Sequence, residues 1–235
     1  SSALFFLLIE KDIPFDIAIV NYNLRVQSND EVSYAKELAK KYNKEIFILD
    51  TIIENSSNFE KKARDIRYTF FEEIINKHSY ETLITAHQLN DKLEWFMMQL
   101  SKGAGLVELI GFNEFEHKEN YQIYKPLLNI TKDELIIYLQ KNSYKYFIDE
   151  SNFDEKYKRN FFRHNFSNKF LEEFSPGIKK SFEYLQNDLN SMNIQNEAMK
   201  KIDELEIFLN QNDDNLNIRT IDLSLKKRGF LLSSA

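Results

Sequence analysis

Cysteine is absent from this 235-residue sequence. Its absence excludes disulfide staples, a zinc ribbon, a cysteine-held iron–sulfur cluster and a thiol nucleophile. Long apolar runs are missing as well. No stretch approaches the ~18 consecutive apolar residues that would span a bilayer, and the apolar start, Ala3 to Ile9, lacks the basic flank and small-residue cleavage site of a signal peptide. The reading is therefore a cytoplasmic protein with no membrane partner. An excess of positive charge is also lacking: the net charge is −6, which excludes a uniformly basic, histone-like binder but leaves room for a local basic patch. Glycine (5) and proline (3) are scarce, and there are no internal repeats or low-complexity tracts. What is abundant is the material of a core. Hydrophobic residues make up 43% of the chain, with 20 Phe and 12 Tyr, enough for one large domain and a smaller one.

The first half alternates helical and strand patterns. Ser2 to Glu10 reads as a buried helix, Phe15 to Asn21 as a short strand, and Asp30 to Tyr42 as a helix with Val32, Ala35, Leu38, Ala39 and Tyr42 on one face. Glu45 to Leu49 is a second strand, followed by a helix from about Asn58, its N-cap, to Lys77. Glu81 to Ala86 is a third strand, and Asp91 to Lys102 a helix ending at Gly103. Strands separated by helices of this length imply an α/β fold, a parallel sheet with helices on both faces. Ligands of such sheets lie at the carboxyl ends of the strands. Pro126 marks a break, after which Thr131 and Glu134 form an S/T-x-x-E capping box. After Pro176-Gly177 the pattern is helical almost without interruption to about Leu209. The expected division is an α/β domain over residues 1–170 and a smaller helical domain over 171–235, the latter a candidate for contact with a partner of whatever chemistry the first domain performs.

Three clusters carry chemistry. In Leu83 to Gly111 a strand delivers His87 to its carboxyl end, with Asp91 and Glu94 on the following turns. His87 and Asp91 are four apart and share a face if the helix has begun; an imidazole can donate to phosphate and a carboxylate can hold Mg²⁺. The alternative is a capping Asp and a surface His. Gly103 and Gly105 permit close backbone approach to a ligand, or simply end a helix. In Asn58 to Phe71, Glu60, Arg64 and Arg67 fall at helical spacing; Arg67 precedes aromatic anchors and could clamp phosphate, while Glu60 and Arg64 could form only a surface ion pair. At the end of the first strand, Asn21, Asn23 and Arg25 could read a base edge or sugar, or satisfy a turn. Further on, Lys156 to Lys169 holds five Lys or Arg and no acid. Lys156, Lys158, Arg159 and Arg163, interleaved with Tyr157, Phe161 and Phe162, suit an RNA backbone with stacking partners. The competing reading is a helix with its Phe residues in the core and its charges solvated. Lys226, Lys227 and Arg228 near the end could contact RNA or simply be solvated, as basic residues near a terminus more often are.

Taken together, the order of these clusters resembles the tRNA(Ile) lysidine synthetases of the PP-loop ATP pyrophosphatase superfamily, over roughly residues 1 to 185. IVNYNLRVQS stands for the family's H-V-N-H-x-L-R followed by Ser, ARDIRYTF for A-R-x-x-R-Y-x-F, and TAHQLNDKLEW for T-A-H-H-x-D-D-x-x-E-T. SKGAGLVELIG, YKPLL and DESNFDEKYKRNFFRHN match R-G-S-G-x-x-G-L-x-G, R-P-L-L and D-x-S-N-x-x-x-x-x-x-R-N-x-x-R. Departures are Gln88 for the second His, Asn90 for the first Asp, and Ile19 and Tyr22 where imidazoles are usual. Ser1-Ser2-Ala3-Leu4 fits only the tail of the phosphate loop S-G-G-x-D-S-x-x-L, so the natural protein is expected to carry the rest of that loop and a strand before it.

The resemblance implies an adenine nucleotide alpha hydrolase-like fold and a two-step reaction. ATP would adenylate the wobble cytidine of tRNA(Ile) with a CAU anticodon at its C2 oxygen, releasing pyrophosphate, and the ε-amine of free L-lysine would displace AMP. By the same resemblance Asp91 would hold Mg²⁺, His87 and Arg67 would meet phosphates, Ser1 would edge the pyrophosphate loop, and Asn21, Asn23 and Gly103 would contact ATP; Arg64 and Glu94 are second choices. PP-loop enzymes that thiolate tRNA generally need cysteine, and this chain has none, which favours an amine nucleophile. The rivals are another PP-loop synthetase that adenylates a small molecule, and a non-catalytic RNA-binding remnant. A homodimer stays open.

Overall fold

The computed structural model describes residues 1–24, 27–53, 59–147, 158–191, 199–202, 205–210 and 212–228. Contacts divide the chain into two compact units, Ser1–Met98 with Phe112–Glu173, and Gln99–Gly111 with Phe174–Ala235.

In the first unit, α1 (Ser2–Glu10) buries Ala3, Leu4, Phe5, Phe6 and Leu8, a helix apolar nearly all round and therefore central. Phe6 stacks on Tyr144 with ring centroids 3.7 Å apart, and Phe5 meets Phe15 and Tyr42 edge-on. After α1 come β1 (Ile17–Asn21), α2 (Gln27–Lys41), β2 (Ile46–Asp50), α3 (Phe59–His78) and β3 (Thr82–Ile84). β1 and β2 pair in parallel from Ile17 opposite Ile46 to Asn21 opposite Asp50. The expected strands and helices are thus present, with ends shifted by a few residues, as frayed termini allow. Asn58, expected as the N-cap of α3, lies outside the described residues.

α4 (Leu89–Leu100) follows β3, then the short α5 (Leu106–Leu109) of the second unit. Two short strands that periodicity did not reveal come next, β4 (Phe115–His117) and β5 (Gln122–Tyr124). β5 lies parallel to β3 and antiparallel to β4, so an antiparallel edge strand joins an otherwise parallel arrangement. Three residues each are too few to show alternation. α6 (Lys132–Lys141) opens with the expected capping box: the Glu134 amide donates to Thr131 Oγ1 at 3.1 Å and the Thr131 amide to Glu134 Oε2 at 2.7 Å. Leu135 and Leu139 of α6 then join Leu38 and Leu127 against α1.

α7 (Lys158–Phe162) runs through a π-helical turn, Arg163–Ser167, into α8 (Asn168–Ser191). Pro176 does not stop α8. The helix bends instead at Phe174 (φ −123°, ψ 16°), because the proline ring removes a donor and crowds the carbonyl of the preceding turn. Continuous helix to about Leu209 is not found. A hairpin of β6 (Met199–Ile202) and β7 (Leu205–Phe208) stands there, before α9 (Asp214–Lys227). The stretch is rich in long side chains that suit either state, and cross-strand pairing decides it.

Candidate functional site

β3 hands the chain to the site through one residue. The Thr85 amide donates to the Tyr124 carbonyl at 2.9 Å, which extends the β3–β5 pairing and fixes the backbone just before His87. Thr85 Oγ1 stands 2.8 Å from His87 Nδ1. Phe112 meets the imidazole edge-on at 5.1 Å. Burial, reinforced by the positive charges of Arg159, Lys125, Arg67 and Arg64, pushes His87 down to about 4. The ring is neutral at physiological pH, and the four cations around it form a field suited to an anion.

The first turn of α4 is held by carboxylates. Asp91 Oδ2 accepts from the Gln88 amide at 2.9 Å, a helix-start contact of the kind an N3 carboxylate makes. Its other oxygen pairs with Arg159. One turn on, Glu94 has no exposed surface and accepts from Arg159 Nε at 2.7 Å, Arg163 Nε at 2.6 Å and Arg163 Nη2 at 3.1 Å. Arg159 and Arg163 are four residues apart where α7 enters the π-turn, so both guanidinium groups reach the same carboxylate. Between the two acids, Asn90 is buried. Its oxygen accepts from the Lys132 amide at 2.9 Å and its amide donates to Asn168, joining α4 to the start of α6 and to α8.

At the end of β1, Asn21 is buried, and its amide nitrogen lies 3.0–3.1 Å from the side-chain oxygens of Asn23, Asn29 and Asp50. Asn23 takes a left-handed φ of 53°, a conformation asparagine tolerates well. The Tyr22 hydroxyl donates to the Ala63 carbonyl at 2.7 Å and ties β1 to α3. On α3, Arg64 and Arg67 lie over the Tyr68 ring.

Comparison with known proteins decides what this arrangement belongs to. A PP-loop domain profile matches residues 1–170. The tRNA(Ile)-lysidine synthase of Campylobacter jejuni strain RM1221 is 48% identical over 235 residues, all of this chain and 71% of its own length. That of Helicobacter hepaticus is 41% identical, again over all of this chain and over 63% of its own. The chain belongs to the tRNA(Ile)-lysidine synthase family. Its fold is also that of a U34-tRNA thiolase from Methanococcus maripaludis that carries a [4Fe-4S] cluster, at a TM-score of 0.65 and 22% identity over 87% of this chain and 72% of the thiolase; at that identity the likeness concerns the fold alone.

Among the residues that the sequence singled out, His87, Asp91, Glu94, Arg64 and Arg67 fall in the first unit of this lysidine synthase family member, and the charges of Arg64 and Arg67 are felt at His87. Ser1 precedes α1, where the charge of Asp91 reaches it. The capping role weighed for Asp91 is present, and His87 is partly buried rather than free on the surface. Arg159 and Arg163, expected on RNA, have their guanidinium groups on Asp91 and Glu94, because a fully buried carboxylate requires matching donors. The competing reading describes that helix only in part: Phe162 is partly buried, but Phe161 is exposed, and the arginines reach carboxylates of α4. Lys158 opens α7, and Lys156 and Arg25 lie outside the described residues. Gly103 belongs to the second unit; its φ of +75° ends α4, as a glycine past a helix terminus does. Sequence reasoning passed over Lys125, in YKPLL. Its side chain is 5% exposed, donates to the Asn113 carbonyl and lies over Phe112. Its place in a family motif was the signal available.

Proposed function

We propose that this chain carries the ATP-dependent ligation of free L-lysine to C2 of the wobble cytidine in the CAU anticodon of tRNA(Ile). What supports the reading is the family to which the chain belongs together with a partly buried His87, held by Thr85 at the carboxyl end of β3 and near enough to Arg159, Lys125, Arg67 and Arg64 to feel their charge. In the first step the C2 oxygen of cytidine attacks the α-phosphorus of ATP and pyrophosphate leaves. In the second, the lysine ε-amine, having lost a proton, attacks C2, and AMP departs with the former C2 oxygen.

Each step asks for something these residues can supply. Arg67 and Lys125 would offset the charge gathering on the leaving pyrophosphate, worth most in a site where water is scarce. His87, uncharged, would donate a hydrogen bond without competing for the same protons. Asn21 and Asn23 would line the nucleotide end, and Ser1 the edge of the phosphate loop. Lys156 and Lys158 would follow the RNA backbone, while Arg159 and Arg163 stay on the carboxylates of α4 and hold that helix to the basic segment. The cytidine must be turned out of the anticodon loop to reach the site, as single-stranded bases are for recognition.

Magnesium fits the donors present. It is usually held by one or two carboxylates together with substrate phosphates, and Asp91 offers a carboxylate beside the cations that would meet those phosphates. Asp91 would hold the ion, and its chemistry would be to neutralise pyrophosphate. The absence of cysteine separates this reading from tRNA thiolation through a cysteine-held cluster.

The test is lysine incorporation by the full-length protein with ATP, comparing tRNA(Ile) bearing CAU with other tRNAs. Incorporation into that tRNA alone supports the proposal. Pyrophosphate release with a different acceptor, and no incorporation, would replace it with another synthetase of this fold.

A further inference from the structure

His87 is built into its position by groups that do not themselves reach a ligand, and they bear on which of its nitrogens carries the proton. Thr85 lies two residues earlier, with its backbone fixed by the Tyr124 carbonyl and its hydroxyl 2.8 Å from Nδ1. On another side the ring meets the edge of Phe112, which is in turn held under the Lys125 ammonium at 5.4 Å and beside Trp95 at 6.2 Å. A flip of the imidazole would lose the threonine contact, and a turn of the ring out of its plane would lose the aromatic one.

We infer that Thr85 is a positioning residue that keeps His87 in the tautomer protonated at Nε2, so that the imidazole offers an uncharged donor to an anionic ligand. A hydroxyl can serve either tautomer, since it both donates and accepts. Two features select between them. An sp² imidazole nitrogen is a better acceptor than a hydroxyl oxygen, so the stronger bond has Thr85 donating to Nδ1. The charges felt at the ring are those of the cations Arg159, Lys125, Arg67 and Arg64, with Arg159 shared with Asp91 and Glu94 and Lys125 with Glu116. They disfavour a protonated ring and draw anionic oxygens, which require N–H rather than a lone pair at the remaining nitrogen. Phe112 supplies the orientation and Thr85 the proton placement. The inference rests on the reading that His87 contacts phosphate, but its first consequence, the tautomer, is observable without any turnover.

Imidazole nitrogen NMR of the full-length protein, with and without ATP, tests it alongside Thr85→Val, which keeps the shape and deletes the hydroxyl, and Thr85→Ser, which restores the hydroxyl. The expected wild-type signal is a neutral His87 protonated on Nε2. Thr85→Val should move part of the population to the Nδ1-protonated form and lower kcat for pyrophosphate release about tenfold, with KM for lysine unchanged; Thr85→Ser should return both to wild type. Thr85→Ala reads the same tautomer shift if valine is not accommodated. A wild-type ring protonated on Nδ1, or a tautomer indifferent to removal of the hydroxyl, overturns the inference. A tautomer that shifts while pyrophosphate release stays unchanged supports the positioning and overturns instead the phosphate contact of His87.

Discussion

Replacing Glu94 by alanine should destabilise the protein more than any substitution of an exposed charge, and the geometry sets the scale. The carboxylate is wholly buried and accepts three hydrogen bonds from two guanidinium groups. Removing one partner of a buried ion pair costs about 3–5 kcal/mol, because the other charge is left without compensation. The Arg163 side chain is 17% exposed and feels that loss fully, whereas Arg159 is 39% exposed and can turn to water, so its share is screened. The lower end applies, about 3 kcal/mol. At roughly 2–4 °C per kcal/mol for a chain of this size, the melting temperature should fall by about 6–12 °C. Glu94→Gln keeps the shape and one acceptor and should lose about half as much. Calorimetry of Glu94→Ala, Arg163→Ala and the double variant measures the coupling, and the double variant should recover part of the loss because it no longer buries a guanidinium that has lost its nearest carboxylate. Melting of Glu94→Ala within about 2 °C of wild type, or strictly additive losses, would refute the reasoning.

Acid should weaken the protein through His87. Held at about 4 against an ordinary 6.5, it leaves the unfolded chain binding the extra proton between those values. Its contribution is thus full above pH 6.5 and declines as pH falls toward 4, by up to roughly 3 kcal/mol; His87→Gln should flatten melting temperature across that window. Asn90→Ala strands the Lys132 amide at the start of α6 and should cost about 1–3 kcal/mol, read by urea denaturation. Asn90→Asp keeps the acceptor and should lose much less. Asp91→Ala should slow tRNA-dependent pyrophosphate release by about 100-fold or more while ATP still binds, measured by calorimetric titration; an active Asp91→Ala would remove that carboxylate from the chemistry.

What could be read in advance was what depends on neighbours in sequence. The apolar positions of α1 and α2, the Thr131–Glu134 box and the alternation of helix with strand are local, and they are present in the structure. Asp91 as a helix-start residue is local too. The partner of Glu94 is not: Arg159 lies 65 residues away and Arg163 lies 69, so a run of basic residues without acids reads as solvated or RNA-facing until the fold brings its counter-ions from α4. Asn90 is similar. As an apparent loss of a family acid it looked like a defect, yet its amide serves two distant helices at once, something a carboxylate would do for only one of them without a protonated or flipped partner. The β6–β7 hairpin escaped because Met199 to Phe208 has no strict alternation, and Lys125 because one lysine before a proline carries no pattern.

The π-helical turn at Arg163–Ser167 makes this part of the chain unequal in the changes of length it can absorb. Five residues there do what about four would do in a regular helix, which lets Arg163 meet Glu94 while Ser167 and Leu171 remain buried further along. Deleting one residue of the turn, such as Asn165, would regularise the hydrogen bonding and leave Leu171 on the face it occupies now. A second deletion would find no bulge to absorb it and would rotate the following turns by about 100° relative to α7, swinging Leu171 toward solvent. The turn is therefore the place along this helix where a single codon can be lost, and lost only once.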